Sequence, residues 1–418
     1  MSSDSELISV AIDKLVHGGQ GLGTLESGQK IFVWNALPGE TVSARSIKKK
    51  KNYLEAIAEV VVAASPERIE PRDDNYLATS PWQIMTFTAE NKYKVEIVRE
   101  LLTHDKVTVP AHIEIIHDER EWQYRAKMEY SFWGDDDGLH LALHRRGSHS
   151  KQVVRGSSLA MPAVDVGANA VLAELRKLPD LRAGDLKTII VRSSQAGVAA
   201  AALFVKTEEF PRLELPKELQ GLQVIYSNPQ SPASVSTKLL YELGDALLSD
   251  ALLERELHYD VKGFFQVNLP VFEKALHAIK AAVGDNSSVD LYSGVGSIGI
   301  LLGSRALIEF DPKNVAMARH NNPSGEVIQA SSETALDYIT GDDVIIVDPP
   351  RAGLHGDVTA RLLEKQPPMI CYLSCNPATQ ARDLALLQDK YLVERLTVYN
   401  FFPRTPHIEA LAILRLKK

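Results

Sequence analysis

The sequence predicts a multidomain α/β protein with a small β-barrel first, a mixed α+β segment next and a doubly wound parallel sheet last. Three observations support this order. Short strand-like runs separated by glycine fill residues 1–65, the pattern is mixed over 66–260, and strands alternate with helices over 261–418. A chain of 418 residues also exceeds what one hydrophobic core usually holds, so two or three domains are expected.

The barrel is predicted from apolar runs that are short and alternate with polar residues. These runs lie at residues 8–10, 30–33, 41–42 and 58–62, and glycines fill the turns between them. Short, evenly spaced strands with glycine corners are typical of a small closed barrel. A proline-containing linker is expected to follow at Ser65.

The middle of the chain carries fewer signals. Helical spacing of apolar residues predicts a helix from Ala89 to Leu102, and strand-like runs follow at Trp122–Trp133 and Leu139–His144. No local fold is predicted for the remainder, so residues 66–260 are expected only to form a mixed α+β domain.

The last part of the chain shows a regular alternation. After a helix at 272–283, strands are predicted at 289–292, 306–310, 343–347 and 368–373, with a helix from Pro312, another at 378–387 and two closing strands. This order is that of a parallel sheet covered by helices on both faces. Such sheets bind ligands where their strands end.

Composition limits the location of the protein. No apolar run approaches about 18 residues, so no membrane helix is expected, and the first ten residues lack a secretory pattern. Two cysteines cannot build a disulfide framework, which suits a reducing cytoplasm.

The net charge of −8 argues weakly against a nucleic-acid partner, but binding depends on local patches. One basic patch joins Arg45 to residues 48–51. The other spans 139–155 and holds Arg145, Arg146, Lys151 and Arg155 without an acidic residue. On charge alone, a solvated surface is the simpler interpretation of both.

A glycine turn follows the first strand of the predicted sheet. Gly294, Gly296 and Gly299 fit the pattern G-x-G-x-x-G, which enzymes using NAD and enzymes using S-adenosylmethionine share. The next strand ends with two acidic residues. Asp311 precedes a proline and suits a helix cap, so Glu309 is the better candidate for binding the ribose hydroxyls.

A rigid turn, Asp-Pro-Pro-Arg at 348–351, ends another predicted strand at the same edge of the sheet. Methyltransferases that act on the amino groups of adenine or cytosine carry a stacking aromatic residue where Arg351 stands. This difference argues against those reactions.

The two cysteines are expected to play different parts. Cys371 lies about 13 Å before Cys375 along one strand, too far for a disulfide, and is expected in the core. Cys375 ends that strand beside the same cleft. A helix N-terminus after Pro377 and the nearby Arg351 are expected to favour its thiolate, while a buried structural thiol is the alternative.

A second catalytic group is sought between the last two strands, where Pro403, His407 and Glu409 occur. Glu409 enters an otherwise apolar strand, where an unpaired carboxylate costs several kcal/mol. A structural ion pair or an outward-facing side chain would also account for it, and these interpretations stay open.

Taken together, these segments resemble the RNA uracil-C5 methyltransferase family. The matching segments are FFQVN (264–268), DLYSGVGSIG (290–299), VDPPRAGL (347–354), LSCNPATQARDL (373–384) and FPRTPHIE (402–409). GGQGLG (18–23) and LPGETV (37–42) resemble the TRAM module, an OB-like RNA-binding barrel. The resemblance spans nearly the whole chain and is most specific around Cys375.

The resemblance implies a TRAM barrel over 1–65, a central domain that contacts RNA over 66–260 and a Rossmann-like methyltransferase domain over 261–418. It implies S-adenosyl-L-methionine as the cofactor and ribosomal or transfer RNA as the partner. Ribosomal 23S RNA is preferred because TRAM-containing members typically act there, and tRNA is the alternative. A monomer without membrane contact is expected.

The resemblance also implies roles for individual residues. Cys375 corresponds to the nucleophile that bonds to C6 of uracil, and Glu409 corresponds to the base that removes the C5 proton. Cofactor contacts are expected at Gln266, Tyr292, Gly294, Gly296, Ser297, Glu309 and Asp348. Supporting or substrate contacts are expected at Arg351, His407 and Asn376.

The sequence departs from the family at one notable place. Many TRAM-containing members hold an iron–sulfur cluster on four cysteines, but the matching segments 70–85 and 153–162 contain none. Because two cysteines cannot supply four thiolates, no cluster is expected.

Other functions remain possible on the sequence. A nicotinamide-dependent dehydrogenase would use the glycine turn but would leave the motifs at Asp348 and Cys375 without a role. A non-catalytic RNA-binding protein would need a lost nucleophile or base. In a methyltransferase that acts on nitrogen or on protein, Cys375 would be dispensable.

Overall fold

The computed structural model describes residues 7–148 and 150–418. Residues 1–6, with which the predicted barrel begins, lie outside the described residues. So does His149, within the second basic stretch.

The first strands close into the predicted barrel. They are β1 (Ile8–Leu15), β2 (Gly21–Thr24), β3 (Lys30–Trp34), β4 (Thr41–Lys49) and β5 (Tyr53–Ala63), in the order β1-β2-β3-β5-β4. Alternate residues point inward, so Ile31, Val33, Val42 and Ala56 form a fully buried core. The OB-like barrel expected from the sequence is confirmed.

A helical connection follows the barrel. It contains α1 (Tyr76–Thr79), α2 (Phe87–His104) and the short strand β6 (Glu114–Ile116). The Thr86 side chain caps α2 by accepting a hydrogen bond from the Ala89 amide. The helix is therefore longer at both ends than the 89–102 range predicted from apolar spacing alone.

The central residues form a mixed sheet with one covering helix. Its elements are β7 (Lys127–Asp135), β8 (Gly138–His144), β9 (Lys151–Val153), α3 (Pro162–Leu175), β10 (Leu186–Ser193), β11 (Ala199–Val205), β12 (Gly221–Tyr226) and β13 (Lys238–Gly244). The strand order is β13-β12-β11-β10-β7-β8-β9. The hairpin β14 (Leu247–Leu252) and β15 (Arg255–Asp260) leads out of this sheet.

The predicted doubly wound sheet is confirmed in the last part of the chain. Its elements are α4 (Leu269–Val283), β16 (Ser288–Leu291), α5 (Gly299–Leu302), β17 (Ala306–Glu309), α6 (Pro312–Asn321), β18 (Glu326–Gln329), β19 (Val344–Val347), α7 (Gly356–Lys365), β20 (Met369–Ser374), α8 (Pro377–Leu387), β21 (Tyr391–Tyr399) and β22 (Glu409–Leu416). The strand order is β18-β17-β16-β19-β20-β22-β21-β6. Strands β16 to β20 are parallel to their neighbours, whereas β22 runs antiparallel to β20.

The sheet draws on more of the chain than residues 261–418. Strand β6 pairs in parallel with β21, and α2 packs against α8. The mixed pattern over 66–260 gave no sign of this, because a three-residue strand has too little periodicity to detect. The division of the chain at residues 65 and 260 stays a prediction.

Within residues 7–148 and 150–418, none of the helices combines the length and the apolar content needed to cross a bilayer.

Candidate active site

A cavity of about 920 Å³ opens where the parallel strands of the last sheet end. The ends of β16, β17, β19 and β20 and the start of β22 form its floor, and residues of β7 and β10 face them from the central sheet. Of the predicted site residues, the cavity lining includes Gln266, Tyr292, Gly294, Ser297, Glu309, Asp348, Arg351, Cys375, His407 and Glu409. Gly296 and Asn376 are not part of that lining.

The glycine turn after β16 has the left-handed backbone that its sequence requires. Tyr292, Gly294 and Gly296 have φ angles of 63°, 56° and 88°. A Cβ atom on Gly296 would lie 2.2 Å from Cδ1 of Ile300. Gly296 therefore packs against Ile300 on the side of the turn away from the cavity, whereas Gly294 lines the cavity.

Glu309 is held at the end of β17 by two backbone amides. Its Oε2 accepts a hydrogen bond from Gly294 N at 2.8 Å, and its Oε1 accepts one from Asp311 N at 2.7 Å. Each carboxylate oxygen can still accept a further hydrogen bond. Asp311 caps α6 through the amides of Lys313 and Asn314, as its place before proline indicated.

Asp290 is a cavity residue that sequence reasoning missed. It is fully buried, its Oδ2 accepts a hydrogen bond from Gly299 N at 2.7 Å, and its Oδ1 has no partner within the described residues. Burial, aided by the charges of Asp348 and Glu309, raises the pKa of Asp290 to about 8. A charged residue inside the apolar strand β16 was the available signal.

The segment carrying Gln266 is held by the central sheet. Arg192, on β10, is 2% exposed and donates hydrogen bonds to Gly263 O at 3.0 Å and Phe265 O at 3.1 Å. The Ala126 amide donates to Val267 O at 3.0 Å. These contacts place the Gln266 side chain against the cavity, and nothing in the local sequence around Arg192 pointed to that role.

The nucleophile and base predicted from the family resemblance face each other across neighbouring strands. Ser374 pairs with Ala410 in the antiparallel register of β20 and β22, which brings the next residue, Cys375, opposite Glu409. Opposed residues in such a pair have Cα atoms about 4.5–5.5 Å apart and side chains on one face of the sheet. Both side chains line the cavity.

Cys375 is a partly exposed thiol, so a buried structural cysteine does not describe it; Cys371 is buried in the core. The expectation that its thiolate would be favoured is wrong for this structure. Burial first, and then the charges of Glu409 and Asp348, raise the pKa of Cys375 to about 11, although Arg351 opposes the shift. The sequence showed the cation but not the two carboxyl groups around the sulfur.

Glu409 is 4% exposed and forms no ion pair within the described residues, so neither alternative interpretation fits it. Burial and the neighbouring Asp348 raise the pKa of Glu409 well above its ordinary value, against the effect of Arg351 and Lys94. Burial likewise raises the pKa of Asp348 to about 7. Ionising Asp348 and Glu409 together is therefore unfavourable.

The loop before Glu409 is fixed by a buried polar network from α2. Lys94 Nζ pairs with Glu90 at 2.9 Å and donates to Asn400 Oδ1 at 2.7 Å and Phe402 O at 3.1 Å. The amide of Arg404, a residue with φ of 65°, donates to Glu90 Oε2 at 2.9 Å. Because the contacts of Lys94 and Glu90 with Asn400, Phe402 and Arg404 join α2 to the loop before Glu409, the network holds that loop in one conformation.

His407 and Asn376 flank the two predicted catalytic residues. Burial, together with Arg351 and Arg125, lowers the pKa of His407 to about 4, so its ring is neutral at pH 7. Asn376 caps α8 through the Ala378 amide and donates a hydrogen bond from Nδ2 to Arg351 O at 2.8 Å. It positions the turn around the cavity without facing it.

The two basic patches are partly engaged in the fold. Arg45 and Lys48 pair with Glu59 and Glu55 across strands of the barrel. In the second stretch, Arg146 lies over the Trp34 ring at 3.9 Å and donates to Leu77 O. Charge counting alone could not detect these structural uses.

Hydrogen bonds join the two segments in which the family resemblance would place cluster ligands. Gln83 Nε2 donates to Ser80 Oγ at 2.7 Å and to Asp73 Oδ2 at 3.0 Å, and Ser158 Oγ donates to Asp73 Oδ2 at 2.8 Å. Among the residues that the structure describes, no group of three or more His, Cys, Asp or Glu side chains could hold a metal ion. The expected absence of a cluster stays a prediction.

Comparison with known proteins indicates the class of the molecule. Residues 334–417 match the family model described as tRNA (Uracil-5-)-methyltransferase, and residues 6–58 match the TRAM domain. The first match includes Cys375, Asn376, His407 and Glu409, whereas the second covers the barrel up to β5.

Relatives match nearly the whole chain. An uncharacterized RNA methyltransferase of Nitratidesulfovibrio vulgaris is 28% identical and aligns over 98% of this chain and 96% of its own. One of Enterococcus faecalis is 27% identical over 98% and 97%. The crystal structure of Pyrococcus abyssi tRNA (uracil-54, C5)-methyltransferase, in complex with S-adenosyl-L-homocysteine, has the same fold, with a TM-score of 0.79, 21% identity and coverage of 97% of this chain and 100% of that one.

These matches agree with the class predicted from the sequence: the relatives that align along nearly the whole chain are RNA methyltransferases, and the chain has the fold of the Pyrococcus enzyme. More particularly, the resemblance to the RNA uracil-C5 methyltransferase family, with a TRAM domain at the amino terminus, is confirmed. The roles of individual residues remain predictions.

Proposed function

We propose that this protein transfers a methyl group from S-adenosyl-L-methionine to C5 of a uridine in RNA, through a transient bond between Cys375 and C6 of the base. One observation carries the proposal. A thiol and a buried carboxyl group meet across two strand ends, in the cavity whose lining also includes the residues predicted to hold the cofactor.

The residues of the cavity fit this cofactor. Glu309 retains acceptor capacity for the two ribose hydroxyls, and Gln266 offers an amide beside it. The unpartnered Oδ1 of Asp290 and the carboxyl of Asp348 suit the positive charges of the amino acid and the sulfonium. When bound, S-adenosylmethionine supplies the methyl group as an electrophile.

Cys375 activates the base by covalent addition. Uracil C5 is a poor nucleophile until the deprotonated sulfur bonds to C6 and the C5–C6 π electrons move into an enolate. Bound S-adenosylmethionine would supply the methyl group to C5 as its methyl–sulfur bond breaks and S-adenosylhomocysteine leaves, and C5 would then hold both the methyl group and its original proton. Arg351, which lines the cavity near Cys375, supports the enolate oxygen by its charge.

Glu409 completes the reaction as a base. It takes the C5 proton, the electron pair restores the C5–C6 double bond, and the C6–S bond breaks to release the Cys375 thiolate. Because Cys375 and Glu409 lie close together, a negative charge on one of them raises the free energy of ionising the other. Once sulfur is bonded to carbon it carries no charge, so Glu409 loses its own proton more readily at the stage when a base is needed.

The substrate must present an unstacked uridine, because both groups lie inside the cavity. Arg125, which also lines the cavity, and the barrel supply phosphate and shape contacts. Ribosomal 23S RNA is the first candidate, since TRAM-containing members of the resembled family typically act there. Transfer RNA is the alternative, favoured by the description of the matched family model and by the name of the Pyrococcus protein.

Two free thiols agree with the predicted cytoplasmic location, and we propose that the protein acts as a monomer.

Two variants test the assigned roles. Cys375→Ala is expected to lose methylation and any covalent complex with RNA containing 5-fluorouridine. Glu409→Gln is expected to transfer the methyl group but to retain the C5 proton, so a covalent protein–RNA adduct accumulates on denaturing gels. Cys371→Ser is the matched control and keeps full activity, because Cys371 is buried in the core away from the cavity. Full turnover by Cys375→Ala would exclude the mechanism.

The substrate is identified by mapping 5-methyluridine in ribosomal and transfer RNA from cells with and without the gene. Loss of one modified position identifies the RNA, and restoration by the wild-type gene but not by Cys375→Ala assigns the reaction to this site. If no 5-methyluridine changes and calorimetry shows binding of NAD(H) but not of S-adenosylhomocysteine, the protein is a dehydrogenase instead.

A further inference from the structure

The barrel touches the active site through the loop between β1 and β2. This loop, Val16–Gln20, is closed by hydrogen bonds from Val16 N to Gln20 O at 3.0 Å and from Gly19 N to Val16 O at 2.9 Å. We call it the barrel loop. Two of its residues, His17 and Gly19, contact the two segments that carry the predicted catalytic residues.

Gly19 packs against Pro406, which immediately precedes His407 in the loop leading to Glu409. A Cβ atom on Gly19 would lie 2.4 Å from Cβ of Pro406 and 2.7 Å from its Cγ. The Gly19 carbonyl also accepts a hydrogen bond from Trp82 Nε1 at 3.0 Å, and the Trp82 amide donates to Arg404 O at 3.2 Å. Only glycine allows the barrel to approach the base-bearing loop this closely.

His17 meets the other segment. Its side chain lies beside Asn376, the residue directly after Cys375, and faces the charge of Arg351, since both residues influence the pKa of the His17 ring. Asn376 in turn holds Arg351 through the 2.8 Å bond to its carbonyl oxygen. Burial lowers the pKa of His17, so the ring beside Asn376 is neutral at pH 7.

We propose that His17 and Gly19 are positioning residues of the active site, through which the barrel fixes the relative placement of Cys375 and Glu409. The inference rests on the proposed function and deepens it. The barrel then contributes to the rate of methyl transfer as well as to RNA affinity. A small displacement of either segment separates two groups that must act on adjacent atoms of one ring.

Neighbouring glycines provide a matched test. Gly18 and Gly19 have φ angles of 97° and 99°, so alanine is equally strained at both, but a Cβ on Gly18 meets nothing within 4 Å. Gly19→Ala is expected to lower the single-turnover rate of RNA methylation about 10- to 100-fold with an unchanged Kd for RNA. Gly18→Ala is expected to keep the wild-type rate. Equal rates for the two variants would overturn the proposal.

A second readout needs no RNA. Because Cys371 is buried, iodoacetamide reports on Cys375, and the pH profile of its alkylation reflects the groups around the sulfur. Gly19→Ala is expected to shift this profile, whereas Gly18→Ala reproduces that of the wild type. If the wild-type protein methylates no RNA, the proposed function fails, but this comparison still decides whether the barrel loop positions the site. Identical profiles would again overturn the proposal.

The His17 contact has its own pair of variants. His17→Ala removes the ring that lies beside Asn376 and is expected to lower the methylation rate about fivefold, because the segment after Cys375 loses its support. His17→Gln retains a polar group of similar reach and is expected to recover most of the rate. Equal loss in both variants, or no loss in His17→Ala, would show that the polar group of His17 beside Asn376 has no positioning effect.

Discussion

At the scale of single residues, the cavity brings four buried or half-buried acidic groups close to Arg351. Asp290, Asp348, Glu409 and Cys375 all have raised pKa values, and Arg351 opposes the rise at Cys375 and Glu409. Such a site is poorly suited to holding anions and well suited to a cationic ligand. The charge state of the thiol therefore depends on what occupies the cavity.

We predict that the cofactor controls the ionisation of Cys375. The free protein is expected to react with iodoacetamide at a rate that rises with pH toward the thiol pKa of about 11. S-adenosylmethionine carries a sulfonium charge, so it is expected to shift this profile to lower pH, whereas neutral-sulfur S-adenosylhomocysteine is expected to shift it less. The Cys371→Ser variant confirms that the signal comes from Cys375. Identical profiles with both ligands would contradict the electrostatic argument.

At the scale of secondary-structure elements, the order of strands and helices after residue 261 was predictable because each strand is a short apolar run between turn residues. Motif residues at strand ends, from Glu309 to Cys375, could be assigned to one edge for the same reason. The features that the sequence did not predict arise from tertiary contacts. We call the hydrogen bonds from Arg192 to Gly263 O and Phe265 O the Arg192 clamp. This clamp depends on residues far apart in sequence, as do the short strand β6 and the burial of Asp290.

The Arg192 clamp gives a prediction for cofactor binding. Arg192→Met removes the hydrogen bonds to Gly263 O and Phe265 O but keeps much of the side-chain volume. We expect about tenfold weaker binding of S-adenosylhomocysteine by calorimetry, because the Gln266 segment loses its support. Arg176→Met, on the same domain but hydrogen-bonded to Leu139 O, serves as the control and is expected to bind normally. Equal affinities of the two variants for S-adenosylhomocysteine would contradict the supporting role of Arg192.

At the scale of the whole molecule, networks of hydrogen-bonded side chains join segments that are distant in sequence. Asp73, Ser80, Gln83 and Ser158 connect the segment after the barrel to the central sheet. Cysteine counting predicts no cluster, but it gave no indication of which side chains would make hydrogen bonds between these segments. Polar residues at those positions are too common in loops to stand out.

Adjacent aspartates test that network. Asp73 accepts hydrogen bonds from Ser158 N, Ser158 Oγ and Gln83 Nε2, whereas Asp74 is exposed. Asp73→Ala is expected to lower the free energy of unfolding by about 1–3 kcal/mol in urea, because buried donors lose their acceptor. Asp74→Ala is expected to change it by less than about 0.5 kcal/mol. Equal stabilities, or stoichiometric iron and sulfide in protein purified anaerobically, would refute this account of the junction.

The antiparallel direction of β22 determines which residues of the sheet can take part in the reaction. A sheet of wholly parallel strands presents only their outgoing ends to a ligand, and those ends suffice to grip a nucleotide. Because β22, the third strand from the β6 edge, runs in the opposite direction, its first residue lies at the same edge of the sheet, and Glu409 is therefore placed beside Cys375. One hairpin thereby converts a surface that can hold a cofactor into one that can also work on both carbons of a double bond.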